Sequence, residues 1–440
     1  MDRGLTNDPS RQPERPPSTV ADELAREIKR LRLEAGISQR VLAAKIGYSR
    51  QYVSMTEWED AALPSQELVA VLDTVLSANG ALIALRAQAK TDQRTRRHVQ
   101  TDTDEPGTSL TANMFSPFNL EAAPADYVPA TRLTQSVVWS DVDQVKEAAR
   151  RAATTENLHG GGSATTAADQ ALYRFAPLLR GQTAPATRRA LFEAIGNLSG
   201  VAAFAAFDVA DFAAAEQHAR FALWCADAAG SWELRASTLA DIARMTAYAS
   251  STDDALSLIE LAQVRSDRLS ATTRAMLGAL RAQFLATLGR TDEALNEVAR
   301  SDEHFADRTR GTDVPWMCYY DEAEHMGSTG KALIPVALAR DQIKLAAPRI
   351  SQAIRQQGEN YPRSRTFSLT RLATLTMRIG DPREAAAIGL QAASKAKDFH
   401  SQRIRDELRT LARVSIRHLH IPEVDELYST LTTDSDEVLP

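Results

Sequence analysis

The most informative part of the chain is residues 37–57, which read ISQRVLAAKIGYSRQYVSMTE. Ser38 and Ser49 each precede a short run of helix-forming residues, and serine is a favoured helix N-cap. Gly47 lies between the two runs, where a tight turn needs a residue without side-chain steric restriction. The stretch therefore predicts two short helices joined by a turn, at 39–46 and from 50 to about 59.

Three further helices are predicted around this pair. Thr19 caps a first helix, from Val20 to Ala35, that Gly36 ends, and two more helices run from Pro64 to Leu76 and from Ala81 to Lys90. A five-helix domain over 19–98 follows. Its core should receive one apolar stripe and the inward residues of the two short helices, namely Leu24, Ile28, Leu31, Ala35, Val41, Leu42, Ile46 and Val53.

Positive charge is concentrated in this domain. Between Leu24 and Tyr52 seven lysines and arginines face two glutamates, although the whole chain carries a net charge of −6. A basic patch on a small domain favours contact with the phosphates of nucleic acid, and the excess acid lies in the C-terminal part. The charge asymmetry suits a small nucleic-acid-binding head joined to an acidic body.

With these residues, the segment from Val20 to Lys90 resembles the Xre/lambda-repressor-type helix-turn-helix family, whose second short helix reads the major groove of operator DNA. The resemblance implies that Gln39 hydrogen-bonds a phosphate and that Arg50 and Gln51 read base edges. Arginine suits guanine and glutamine suits adenine. Glu57 matches an acidic residue with a structural role in that family. The predicted DNA contacts are Ser38, Gln39, Lys45, Ser49, Arg50, Gln51, Ser54 and Met55.

The rest of the chain predicts disordered tails at 1–18 and 433–440, a linker over 99–130, and a helical domain over 131–432. Short turns followed by alanine recur at Ala215, Ala255, Ala294, Ala332 and Ala385. Their spacing is typical of an α-solenoid with two helices per repeat. The fold predicted for the whole chain is all-α, and the second part resembles the tetratricopeptide-type sensor portion of actinobacterial regulators.

A candidate ligand site lies in the aromatic and acidic segment 315–324, on the inner face of the predicted solenoid. A ligand contact and simple packing between repeats both explain its tryptophan and tyrosines. Arg363 and Arg365 could meet a carboxylate, or could be solvated on a helix surface. The predicted ligand contacts are Trp316, Tyr319, Tyr320, Glu324, Arg363 and Arg365.

Other classes of function lack sequence support. No signal peptide and no membrane-length apolar run is recognised, and two isolated cysteines favour a reducing cytoplasm. No catalytic signature is present, and two Glu-x-x-His pairs, Glu156/His159 and Glu322/His325, do not suffice for a metal site. We therefore expect no enzyme, no cofactor and no metal. The leading hypothesis is a homodimeric regulator that binds operator DNA and a peptide or small effector. The alternative is a DNA-tethered scaffold that recruits a protein partner.

Overall fold

The computed structural model describes residues 20–46, 53–54, 56–57, 64, 66–89, 120, 127–128, 136–249, 251–309, 311, 313–358 and 361–436. The chain divides into two compact units, Met1–Ser109 and Leu110–Pro440. Within the described ranges the regular structure is helical, with only an isolated bridge between Ser136 and Gln182. The all-α fold is confirmed. The predicted N-terminal tail lies outside the described residues, as does the predicted linker apart from residues 120 and 127–128. The C-terminal tail predicted at 433–440 is wrong in its first half, because residues 433–436 complete the last helix.

The first unit contains α1 (Val20–Glu34), α2 (Gln39–Ile46), α3 (Gln66–Val75) and α4 (81–89), and residues 53, 54 and 56 are helical as well. The turn after α1 contains Gly36 at φ +66°, and the Ser38 hydroxyl accepts the Val41 N–H at 3.3 Å. At the other end of the unit, the Asp73 carboxylate accepts the backbone N–H groups of Gly80 and Leu82 at 2.7 and 3.0 Å. These local hydrogen bonds explain why the predicted and observed bounds agree closely.

The core of this unit is an apolar cluster contributed by all of its helices. Val53 is fully buried, which confirms that the second short helix turns this residue inward. Two predicted core residues are wrong: Val41 is 44% exposed and Ala35 is exposed. In the eight-residue α2 the buried face consists of positions 42, 43 and 46, one step round from Val41. The fully buried core residues include Leu24, Ile28, Leu42, Val53, Leu68, Leu72 and Leu82.

The second unit is a succession of helices, and five of the connections between them contain only two or three residues. Short connections force consecutive helices to pack side by side and antiparallel. In chain order the helices are α5 (Trp139–His159), α6 (Gly161–Phe175), α7 (Pro185–Asp208), α8 (Phe212–Ala229), α9 (Trp232–Tyr248), α10 (Thr252–Ala262), α11 (Ala271–Thr287), α12 (Thr291–Ala306), α13 (Glu322–Ala332), α14 (Ile334–Arg340), α15 (Ala347–Gln356), α16 (Pro362–Ile379), α17 (Pro382–Ala396), α18 (Gln402–Ser415) and α19 (Pro422–Asp436).

Most of the recurring alanines mark the tight packing that their spacing predicts. Ala215, Ala255, Ala294 and Ala385 all lie in the first turn of the second helix of a pair, and all are fully buried. Alanine lets the two helices of a pair approach closely, and the pairs are α7/α8, α9/α10, α11/α12 and α16/α17. The helix-pair architecture that the turns predict is confirmed at these four positions.

The turn predicted at 328–332 is wrong. These residues complete α13, which begins after Asp321, whose carboxylate accepts the Glu324 N–H at 2.9 Å. Gly330 serves helix packing here, because a Cβ at this position would lie 2.7 Å from Ile350 Cγ1 on α15. A glycine that permits close approach cannot be distinguished from a turn glycine by sequence alone.

The stack of helices returns to its own start. α5 packs against α16, and the backbone of His400 bonds both to His159 O and to the Gly162 N–H, each at 3.4 Å. Gly160, at φ +84°, ends α5, and the next glycine at once begins α6. The second unit is therefore closed, with its first helix pair in contact with α16 and with the segment that precedes α18.

Gly161 is the position at which this closure has no space for a side chain. A Cβ there would lie 2.3 Å from Ala205 O, so Gly161→Ala should destabilise the unit by about 1–3 kcal/mol. Gly200, inside α7, is the matched control, since a Cβ there meets nothing within 4 Å. We expect Gly200→Ala to stabilise by about 0.4–1 kcal/mol. Denaturant unfolding of both variants measures the difference, and equal effects would contradict the proposed close approach.

One described helix, α7, is long and apolar enough to cross a membrane. It is not an uninterrupted apolar run, since Arg188, Arg189 and Glu193 lie within it, although its mean hydropathy alone would allow a membrane span. However, 67% of the apolar window is buried inside the unit, where α7 packs against α5, α6 and α8. Its apolar character serves the core of the helical unit.

Candidate functional site

The first candidate site is built on a buried polar network beneath the two short helices. Glu57 is 7% exposed and pairs with Arg32 of α1, whose Nη2–H donates to Glu57 Oε2 at 2.8 Å. The Gln39 amide, at the start of α2, donates to the same carboxylate oxygen at 2.9 Å. One carboxylate thus joins α1, α2 and the end of the second short helix. This agrees with the structural role predicted for Glu57.

The predicted DNA contacts divide into described and undescribed residues. Ser38 and Lys45 are exposed, whereas Gln39 and Ser54 are half-buried. The bond from Gln39 to Glu57 uses one amide N–H and leaves the other N–H available to donate to a phosphate oxygen. The remaining predicted contacts lie outside the described residues, and these are Ser49, Arg50, Gln51 and Met55.

The local positive charge is smaller than the sequence count indicates. Arg32 is 8% exposed and its charge is balanced by buried Glu57, so this cation does not contribute to the surface charge. Arg30 is exposed but lies between Glu27 and Glu34, each 2.5 Å away. Lys29, Arg40 and Lys45 remain as exposed cations of α1 and α2. The basic face is therefore contributed by fewer residues than the seven in the sequence.

Residues 23–85 match the family model of a helix-turn-helix domain. The match covers the two short helices, the buried carboxylate network and the surrounding core, and it supports DNA binding by a transcriptional regulator. It leaves the whole second unit outside the matched range. No curated protein and no solved structure matches the chain.

The second candidate site is a cavity of ≈ 1220 Å³ that lies entirely within the helical unit. Its described wall is formed by the first helix of each successive pair, namely α5, α7, α9, α11, α13, α16 and α18, together with the segment 314–319. The second helices of the pairs form the outer layer. This inner ring combines aromatic side chains with acidic and basic ones, which is the composition expected of a ligand pocket.

The cavity wall contains four of the six residues predicted for a ligand. These are Trp316, Tyr319, Glu324 and Arg363. Tyr320 is not among them, because it is 3% exposed and its hydroxyl bonds His325 Nδ1 at 3.2 Å in the core. Arg365 is also outside the wall, since its side chain is exposed. The last two residues are therefore removed from the candidate site.

Arg363 is held in an ion-pair network that sequence reasoning missed. Its guanidinium lies 2.7 Å from Glu156 on α5 and 2.5 Å from Asp208 at the end of α7. Asp208 is fully buried and also accepts the Ser401 hydroxyl at 2.9 Å and the Gly161 N–H at 3.1 Å. This network joins the first and last parts of the unit and forms one end of the cavity wall.

A second group of charges lines the wall between α9, α16 and α18. Arg244 pairs with Asp241 at 2.6 Å, and Arg371 pairs with Glu407 at 2.7 Å. Arg403 has a longer contact of 3.8 Å to Asp208 and stacks on three phenyl rings, those of Phe204, Phe207 and Phe367. Burial, followed by repulsion from neighbouring arginines, lowers the pKa of Arg403 to about 10.

The Glu-x-x-His pairs take structural roles. Glu156 belongs to the Arg363 network described above. His325 is 1% exposed, stacks on Phe305 with ring centroids 4.1 Å apart, and has Nε2 2.8 Å from Asp302. Over the residues that the structure describes, no cluster of three or more potential ligands could hold a metal ion.

Proposed function

We propose that this protein is a transcriptional regulator whose helix-turn-helix domain binds operator DNA and whose helical unit binds a small effector in its central cavity. The matched domain at 23–85 and the cavity of ≈ 1220 Å³ support the two halves of this proposal. The cavity is the observation that supports an effector. Its volume is much larger than the voids that imperfect packing leaves in a protein interior, and polar and aromatic groups converge on it. We propose further that the protein has no enzymatic activity and acts in the cytoplasm.

Dimerisation is part of the proposal. One helix in one groove gives modest affinity, whereas two reading heads on a palindrome gain avidity, with half-sites about one helical turn apart. An effector that binds one arrangement of the two helix-turn-helix domains more tightly than another changes the affinity for the operator. A coupling free energy of about 1–3 kcal/mol between effector binding and operator binding suffices for a switch. The helix pairs, which we propose to be tetratricopeptide-type repeats, would transmit that preference.

Selection of bound duplexes from a random DNA pool with the full-length protein tests this function. We expect one enriched motif arranged as two inverted half-sites, and protection of that motif upstream of the gene for this protein. Addition of an extract of the source culture should change the protection. A pool that shows no enrichment would overturn the DNA-binding function, and a protein partner captured without any effect of small molecules would favour the scaffold alternative.

Two substitutions separate positioning from base reading. Gln39→Ala should weaken binding about equally across all sequences, because its predicted partner is a phosphate. Arg50→Ala should cost about 1–3 kcal/mol and relax preference at one base position, since a bidentate arginine discriminates guanine. Affinities measured on the selected duplex and its single-base variants give both results. Unchanged operator binding in both variants would disprove this docking geometry.

A further inference from the structure

Lys331 is a cation without a counter-ion in the wall of the cavity. It lies in the last turn of α13, and its side chain lines the cavity while remaining half-buried. Its ammonium has no hydrogen-bond or ion-pair partner among the residues that the structure describes. Removing an unpaired ammonium from water costs free energy, and a bound anion at this position would lower that cost.

The groups that face Lys331 are mainly positive. They come from three other helices: Arg244 on α9, Arg371 on α16, and both Arg403 and Glu407 on α18. Burial, then repulsion from Arg371, lowers the pKa of Lys331 to about 7; Arg403 and Arg244 act in the same direction and Glu407 opposes them. Among these charged groups, three guanidinium groups repel the Lys331 ammonium and one carboxylate attracts it, so an added anion would relieve the repulsion.

The nearby carboxylates are already engaged by other groups. Glu407 makes three hydrogen bonds to Arg371, and Asp241 accepts a bond of 2.6 Å from Arg244. The carboxylate of Glu324, on the same helix as Lys331, accepts the Ser328 hydroxyl at 3.2 Å. None of these three carboxylates forms an ion pair with Lys331, so its charge remains available to a ligand.

The adjoining wall suits an apolar body that carries one hydrogen-bond acceptor. The phenyl rings of Phe204, Phe207 and Phe367 line the cavity together with Met276. The indole Nε1–H of Trp316 is buried in the same wall and has no acceptor within the described part of the chain. A buried indole N–H normally finds a partner, so this donor is a second unsatisfied group.

We propose that the cavity binds an amphipathic organic anion, in which a carboxylate, phosphate or sulfonate is joined to an apolar, ring-containing body. The anionic group lies at Lys331 beside Arg403, and the apolar body packs against the phenyl rings. The Trp316 N–H donates to an acceptor on that body. This inference names the effector class of the regulator proposed above, and its biological consequence rests on that proposed function.

The probe for this test is 8-anilinonaphthalene-1-sulfonate, which combines a permanent anion with two aromatic parts and fluoresces when it is buried. In titrations of the full-length protein we expect Lys331→Met to weaken dye binding about tenfold or more, because one charge-assisted contact is removed. The methionine keeps most of the side-chain volume and removes a buried charge, so the fold should be retained. Equal affinity of the wild type and Lys331→Met would overturn the proposal.

Two controls separate the cavity from general hydrophobic binding. Lys344→Met removes an exposed lysine that does not line the cavity, and it should leave the affinity for the dye unchanged. The neutral dye N-phenyl-1-naphthylamine lacks the sulfonate, and it should bind the wild type and Lys331→Met alike. The proposal fails if Lys344→Met weakens sulfonate binding as much as Lys331→Met does, or if the neutral dye is equally sensitive to Lys331→Met.

The dependence on pH provides a separate readout. With a pKa of about 7, Lys331 loses its proton as the pH rises, and binding of the sulfonate must then take up a proton. The affinity of the wild type should fall about tenfold from about pH 6 to about pH 8, whereas Lys331→Arg should remain nearly flat because arginine does not titrate there. No histidine is among the described residues of the wall. A flat profile for the wild type would contradict an anion at Lys331.

Failure of this inference can be distinguished from failure of the regulator function. Dye binding is measured without DNA, and operator binding is measured without dye. A protein that selects an operator but shows no sulfonate binding sensitive to Lys331 remains a regulator, and the anionic effector class is rejected. A protein that binds the dye through Lys331 but selects no DNA sequence retains the anion site and loses the regulator function.

Discussion

Replacement of Asp208 by asparagine is expected to destabilise the helical unit by about 3–5 kcal/mol, since a buried ion-pair network loses its central charge. Asp208 accepts three hydrogen bonds, from Arg363, Ser401 and Gly161, and is fully buried. The amide of asparagine offers only one accepting oxygen, and Arg403 would lose the only carboxylate contact that the structure describes for it. The loss should fall on the contact of the first helices of the unit with α16 and α18.

Hydrogen exchange resolved by peptide, together with denaturant unfolding, measures this effect. Amides of α5, α6 and α18 should lose protection in Asp208→Asn before amides of α11 and α12, which lie away from the closure. Asp227→Asn is the matched control, because Asp227 makes an exposed ion pair with Arg235 and should contribute less than about 1 kcal/mol. If both variants unfold alike, charge does not hold the closure.

Arg32→Ala is expected to disrupt the helix-turn-helix domain and to abolish operator binding. It leaves Glu57 buried with Gln39 as its remaining described partner, and an uncompensated buried carboxylate costs about 3–5 kcal/mol. That loss approaches the whole stability of a small domain. Because Glu57 joins α1 to both short helices, the helix that enters the groove would lose its support.

The control lies two residues earlier on the same helix. Arg30→Ala removes the same charge, but Arg30 is exposed between Glu27 and Glu34, so stability should change by less than about 1 kcal/mol. Operator affinity and exchange protection of α1 and α2 are the measurements. The double variant Arg32→Met with Glu57→Leu should recover much of the loss in stability, since removal of both charges leaves neither unpaired. Full DNA binding by Arg32→Ala alone would disprove the supporting role.

The features of the first unit that sequence predicted well depend on neighbouring residues. The bounds of α1 and α2 agree with prediction to within a residue, because Ser38 and Gly36 act within one turn of the helix ends. The exposed face of Val41 was missed, since the rotation of an eight-residue helix is decided by what it packs against. The same limit hid the role of Arg32, which counts as surface charge in the sequence and is buried in the fold.

In the second unit, too, the features that depend on neighbouring residues were predicted and those that depend on distant residues were missed. Turn residues followed by alanine located four helix pairs, because a turn and the first buried residue after it lie close together in the chain. Gly330 was misread, since its close neighbours Ile350 and Arg349 belong to α15, some twenty residues later. The aromatic segment 315–324 predicted the position of the cavity correctly, but not every residue of its wall, because Tyr320 is buried in the core.

By itself the amino-acid sequence determined the helical class, the position of the helix-turn-helix domain, the ends of α1 and α2 and the turns of four helix pairs, since each depends on contacts within a few residues. The closure, the cavity and its charges were decided by the tertiary structure alone. Asp208 and Arg363 are 155 positions apart, and Lys331 faces arginines from three other helices. No local pattern encodes such encounters, because they arise only when the helix pairs stack and return to their starting point.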